Sequence, residues 1–136
     1  MNTVAQPAVP ASDRRPPRIL VVDDERSMRE MLQIVLRREG YEVLLAENGR
    51  AALDMLEKEP VDLLISDIKM PGLDGYELIK TIRATPKLAD IPAIALTGFG
   101  MQTDIDQLRA AGFNCCIPKP ADVEDMLPLI RELTGA

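Results

Sequence analysis

Short apolar runs alternate along the chain with segments whose apolar residues recur every three or four positions. The runs lie in "RILVVDD" (18–24), "YEVLLA" (41–46), "VDLLISD" (61–67), "IPAIALTG" (91–98) and "FNCCIP" (113–118), each the length of a buried strand. Between them, "ERSMREMLQIVLRREG" sets Met28, Met31, Leu32, Val35 and Leu36 on one face of a helix, with Gly40 as its stop. "NGRAALDMLEKE" (48–59) predicts a helix that Asn48 caps and Pro60 ends. A third helix, about 75 to 84, turns Leu78, Ile79 and Ile82 inward; "QTDIDQLRAAG" does so with Ile105 and Leu108 and closes at Gly112. "ADVEDMLPLIRELTG" is the last, with Val123, Met126, Leu127 and Ile130 inward; Pro128 predicts a kink or a start near Met126. Strand then helix, five times over, implies an α/β domain whose parallel sheet is covered on both faces. Residues 1–17 hold Pro7, Pro10, Pro16 and Pro17 without apolar periodicity and read as a disordered tail.

Composition narrows the chemistry. The chain of 136 residues suits one domain; it is 46% hydrophobic but only 3% aromatic, so the core is aliphatic. A net charge of -6 with no long basic cluster argues against direct nucleic-acid binding. No stretch is long enough for a membrane span and no signal peptide is evident, so a cytoplasmic protein is expected. Adjacent Cys115 and Cys116 read as small buried strand residues rather than a disulfide. The chain has no histidine, which removes Ser-His-Asp and Cys-His catalysis, His metal sites and any phosphohistidine of its own.

Polar residues gather where the apolar runs end: Asp23 and Asp24, Asp67, Thr97, and Lys119 in "CIPKP". Singly they read as helix caps or loop residues. Together they fall on the carboxyl rim of an open α/β sheet, where ligands bind. Three carboxylates in one pocket repel by about 4 kcal/mol per pair at ~4 Å and an effective dielectric of ~20. A hard cation relieves that repulsion, and an all-oxygen donor set favours Mg²⁺, which also clamps phosphate oxygens. Lys119 and the Thr97 hydroxyl suit the remaining phosphoryl oxygens, and Asp67, alone on its strand, suits a nucleophile.

With "ILVVDDERSMREML", "DIKMPGLDGYELI", "IPAIALTG" and "KP" in this order and spacing, residues 18 to 134 resemble a response-regulator receiver domain of two-component signalling. The resemblance implies the flavodoxin-like (βα)5 fold with strand order 2-1-3-4-5. By position it makes Asp67 the phosphoryl acceptor, Asp24 the direct magnesium ligand, Asp23 its partner acting mainly through water, and the Lys69 carbonyl a third protein ligand. It makes Thr97 the switch hydroxyl and Lys119 the phosphate-contacting lysine, with a cis peptide expected before Pro120. Where the family usually has an aromatic residue, three before the lysine, this chain has Cys116. Lys69 and Phe99 stand where members tune dephosphorylation.

The function implied is a signalling module rather than an enzyme acting on other molecules. It takes phosphate from a histidine kinase or histidine phosphotransfer protein and acts on a downstream protein through its last helices. No output domain is expected after residue 134, which fits either a free-standing regulator or the excised receiver of a hybrid histidine kinase. A magnesium-dependent aspartyl phosphatase is the competing reading; that class wants an acid two residues after its nucleophile, where this chain has Lys69. A receiver-like fold that binds partners without phosphorylation is a third.

Overall fold

The computed structural model describes residues 16–98, 105–119 and 122–135. Strands and helices alternate as β1 (Arg18–Val22), α1 (Arg26–Arg38), β2 (Glu42–Ala46), α2 (Gly49–Lys58), β3 (Leu63–Asp67), α3 (Gly75–Ala84), β4 (Ala93–Thr97), α4 (Ile105–Ala111), β5 (Cys115–Pro118) and α5 (Val123–Thr134). The five strands pair in parallel in the order β2-β1-β3-β4-β5, the expected doubly covered sheet.

Period-two alternation assigns each strand residue to a face. Ile19, Val21, Leu63, Ile65, Ile94 and Leu96 pack under α1 and α5, against Leu32, Leu36, Met126 and Ile130. Leu20, Val22, Leu64, Ala93 and Ala95 pack on the other side under α2, α3 and α4, against Ala52, Leu56, Ile79, Ile82 and Leu108. Every residue of β3 and β4 is buried, which is why these strands read as unbroken apolar runs.

The helix starts follow local chemistry. Asn48 Oδ1 accepts from the Ala51 amide at 2.8 Å, and Asp74 and Glu77 form a reciprocal capping box before α3. Gly75 permits the approach of α3 to the end of β3. A Cβ there would lie 2.5 Å from the Asp67 carbonyl oxygen and 2.7 Å from Ile68 Cα. The Gly75 amide instead donates to the Ile68 carbonyl at 2.8 Å.

Several expectations change. Pro17, expected in the tail, joins the sheet: its carbonyl accepts from Glu42 N at 3.0 Å and extends the β1–β2 ladder; residues 1–15 of the expected tail lie outside the described residues. Met31 is 37% exposed and Ile105 53% exposed, because each sits at the edge of its helix's apolar face. Cys115 and Cys116 are only half-buried free thiols, and alternation turns them to opposite faces of the sheet. Burial pushes the Cys116 thiol up, against a lesser pull from Arg109. Helix α5 starts at Val123, not near Met126, and runs through Pro128 unbroken; the proline is exposed, so its ring meets solvent rather than core. Among the described residues no helix is long and apolar enough to cross a membrane.

Candidate functional site

Strand register assembles the site. Val22 pairs with Ser66, so Asp23 and Asp67 leave neighbouring strands at the same level. Thr97 pairs with Pro118, which brings Lys119 to the same rim; its amide donates to the Thr97 carbonyl at 2.7 Å. Asp23, Asp67 and Thr97 are buried, and with Ser66 they form the buried polar set of the described chain. Asp24 is exposed. One oxygen from each of Asp23, Asp24 and Asp67 lies within 4.8 Å of the others.

The Lys119 ammonium reaches into this cluster. Its Nζ stands 2.8 Å from Asp23 Oδ2, 3.2 Å from Asp67 Oδ2 and 3.2 Å from Glu25 Oε1. Asp67 and Asp23 each have their other oxygen held by backbone: Asp67 Oδ1 accepts from the Ile68 amide at 2.8 Å and Asp23 Oδ1 from the Glu25 amide at 2.9 Å. Ser66 Oγ donates to the Asp67 carbonyl at 2.8 Å, and Arg29 Nη1 to the Asp23 carbonyl at 2.7 Å. The Thr97 hydroxyl donates to the Ile117 carbonyl at 3.5 Å, long enough to be weak and readily exchanged.

Charge in the cluster is not balanced. Burial raises the Asp67 carboxyl above its ordinary value, the charge of Asp23 adds to the rise, and Lys119 opposes it without overcoming it. For Lys119, burial acts downward but is outweighed by the nearby carboxylates of Asp23 and then Asp67, so the ammonium is held above the usual lysine range. Asp23 Oδ2 is fully buried and lacks a well-directed hydrogen bond, although Lys119 lies at ion-pair distance. The distance shows a Coulombic contact whose angle leaves an oxygen lone pair unused. An orphaned buried oxygen among three carboxylates, with no nitrogen or sulfur donor in the cluster, fits a hard divalent cation.

The structure thus brings Asp23, Asp24, Asp67 and Lys119 together and sets Thr97 at the same rim. The Lys69 side chain is exposed two residues beyond Asp67. Phe99 and Pro120, with the expected cis peptide, lie outside the described residues. Glu25, Arg29 and Ser66 were not singled out from the sequence. Glu25 follows the Asp23–Asp24 pair directly, but its lysine partner is 94 positions away.

The family model for the response regulator receiver domain matches residues 19–131, and the chain belongs to this family. An uncharacterized 14.6 kDa protein of Leptolyngbya boryana is 41% identical over 84% of this chain and 87% of its own. Response regulator MprA of Mycolicibacterium vanbaalenii is 39% identical over 87% of this chain and 50% of its own; the chain spans about half the length of the MprA relatives. Among solved structures, a putative response regulator from Chloroflexus aurantiacus superposes with a TM-score of 0.84 at 34% identity, covering 90% of this chain and 100% of that one. The receiver domain of the sensor histidine kinase PA1611 from Pseudomonas aeruginosa, with a magnesium ion in its active-site cleft, gives 0.80 at 30% identity, covering 89% and 99%.

Proposed function

We propose that this chain is the phosphoacceptor of a two-component phosphorelay, and that Asp67 takes a phosphoryl group from a phosphohistidine on a partner kinase or phosphotransfer protein. The observation that carries this reading is a buried carboxylate at a strand end, pinned by the Ile68 amide on one oxygen and facing Lys119 with the other. An Asp67 oxygen attacks phosphorus, the bond from phosphorus to the donor imidazole breaks, and its electron pair leaves on nitrogen, which takes a proton. Water later attacks the same phosphorus, releasing inorganic phosphate and restoring the carboxylate.

Lys119, held charged by its neighbours, turns from carboxylates to phosphoryl oxygens, and the weakly held Thr97 hydroxyl donates to another. Asp23, Asp24, Asp67 and the Lys69 carbonyl would hold Mg²⁺. When bound, Mg²⁺ supplies neutralising positive charge for the carboxylates and phosphoryl oxygens. The domain occupies 18–134, in the cytoplasm; capture of Thr97 and Lys119 by phosphate shifts the face of α4, β5 and α5 toward or away from a protein target. The magnesium-bound histidine-kinase receiver supports both the cation and the hybrid-kinase setting.

Acetyl phosphate with and without Mg²⁺, read by intact mass, tests the reading. A metal-dependent phosphoryl adduct is expected on the wild type and not on Asp67→Asn. An adduct that persists in Asp67→Asn overturns the assignment, as does a wild type that shows neither an adduct nor a spectral response to beryllium fluoride with Mg²⁺.

A further inference from the structure

We infer that Glu25 is a positioning residue that occupies Lys119 in the unphosphorylated site and is displaced when phosphate arrives, so that it retards phosphorylation of Asp67 while strengthening cation binding. The inference rests on the phosphoacceptor reading and adds a regulator to it. Glu25 is the N-cap of α1, a position whose side chain ordinarily accepts a helix amide, yet it makes no such bond. Its carboxylate is turned instead to Lys119 Nζ at 3.2 Å.

Lys119 Nζ is hydrogen-bonded to Glu25 and Asp67 and ion-paired with Asp23. A phosphoryl group that takes the ammonium's charge competes with these carboxylates for it. Asp23 is held closest, at 2.8 Å, with a side chain that is 0% exposed, whereas the Glu25 side chain is 63% exposed at 3.2 Å. Glu25 is the partner that water compensates most readily once it is released. Its charge also acts on both ligands, attracting a divalent cation to the rim and repelling a phosphoryl group bearing about two negative charges. One side chain thus has opposite effects on the two, a signature that a purely structural role at the start of α1 does not produce.

The test compares wild type, Glu25→Gln and Glu25→Asp in two readouts: Mg²⁺ affinity by calorimetric titration, and the initial rate of Asp67 phosphorylation by acetyl phosphate at saturating Mg²⁺. Glu25→Gln is expected to weaken Mg²⁺ about three-fold and to speed phosphorylation about three-fold, the size of an exposed charge contact. Glu25→Asp, which keeps the charge but lacks the reach to Lys119, is expected to match wild type for Mg²⁺ and to phosphorylate faster. Two readouts that move in the same direction, or an unchanged rate in Glu25→Gln while the wild type is phosphorylated, overturn the role of Glu25 alone. A wild type that binds Mg²⁺ but takes no phosphoryl group overturns the phosphoacceptor reading and the role of Glu25 with it.

Discussion

At the N-terminal ends of β4 and β5, Arg83 of α3 sits in a cradle of carbonyls; at the opposite ends of the strands, Lys119 sits among carboxylates. Arg83 donates to the Gly112 carbonyl from Nε at 3.0 Å and Nη2 at 2.7 Å, and from Nη1 to the Ala89 and Ile91 carbonyls at 2.8 and 2.6 Å. Asn114 Oδ1, 3.3 Å from Arg83 Nη2, also accepts from the Ala93 amide at 2.8 Å and so joins the cradle to β4. Burial lowers the Arg83 guanidinium from its ordinary value, with Asp90 acting against that. The planar fork and the fixed loop carbonyls satisfy one another. At the acidic rim the single ammonium leaves Asp23 Oδ2 poorly bonded and Asp67 raised. The difference separates a charge used to close a fold from charges kept in excess for something yet to bind.

Arg83→Ala leaves the Gly112, Ala89 and Ile91 carbonyls without their donor and should cost about 3 kcal/mol of stability in urea unfolding. Lysine should rescue it poorly, because one ammonium cannot span the fork. A loss below roughly 1 kcal/mol, the scale of an ordinary hydrogen bond, would remove the contrast from that side.

Mg²⁺ should have a similar magnitude and the opposite sign at the rim: about 2.7 kcal/mol of stabilisation at a hundred times its Kd, the gain expected of a cation that binds the folded cluster and not the unfolded chain. Thermal unfolding against MgCl₂ measures it, and an equal gain in Asp67→Asn would mean that the cation binds elsewhere.

Asp67→Asn without metal should raise stability near neutral pH by about 1 kcal/mol, because it removes one of the repelling charges. The sign follows from the raised Asp67 value: its contribution is favourable below the unfolded-state carboxyl pKa and is lost as pH rises through the higher folded value. The gain should therefore vanish in acid. A lower melting point for Asp67→Asn at pH 7 would show that its bonds to Ile68 and Lys119 outweigh the repulsion.

Much of this molecule was legible in the chain itself. Strand alternation and helical spacing are local, so five strand–helix units, the Asn48 cap and the inward faces of α3 and α5 could be read without partners. Chain direction in a parallel sheet then sends every strand's last residue to one rim, which is why Asp23, Asp67, Thr97 and Lys119 could be placed together. Tertiary structure decided which groups meet there and how strongly. Glu25 joins Lys119 across 94 positions, Arg83 reaches Gly112 across 29, and Met31 and Ile105 lie exposed on helices whose spacing had turned them inward. Periodicity gives the direction of a side chain relative to its own backbone, whereas burial, pairing and charge balance depend on neighbours that only the packed fold brings within reach.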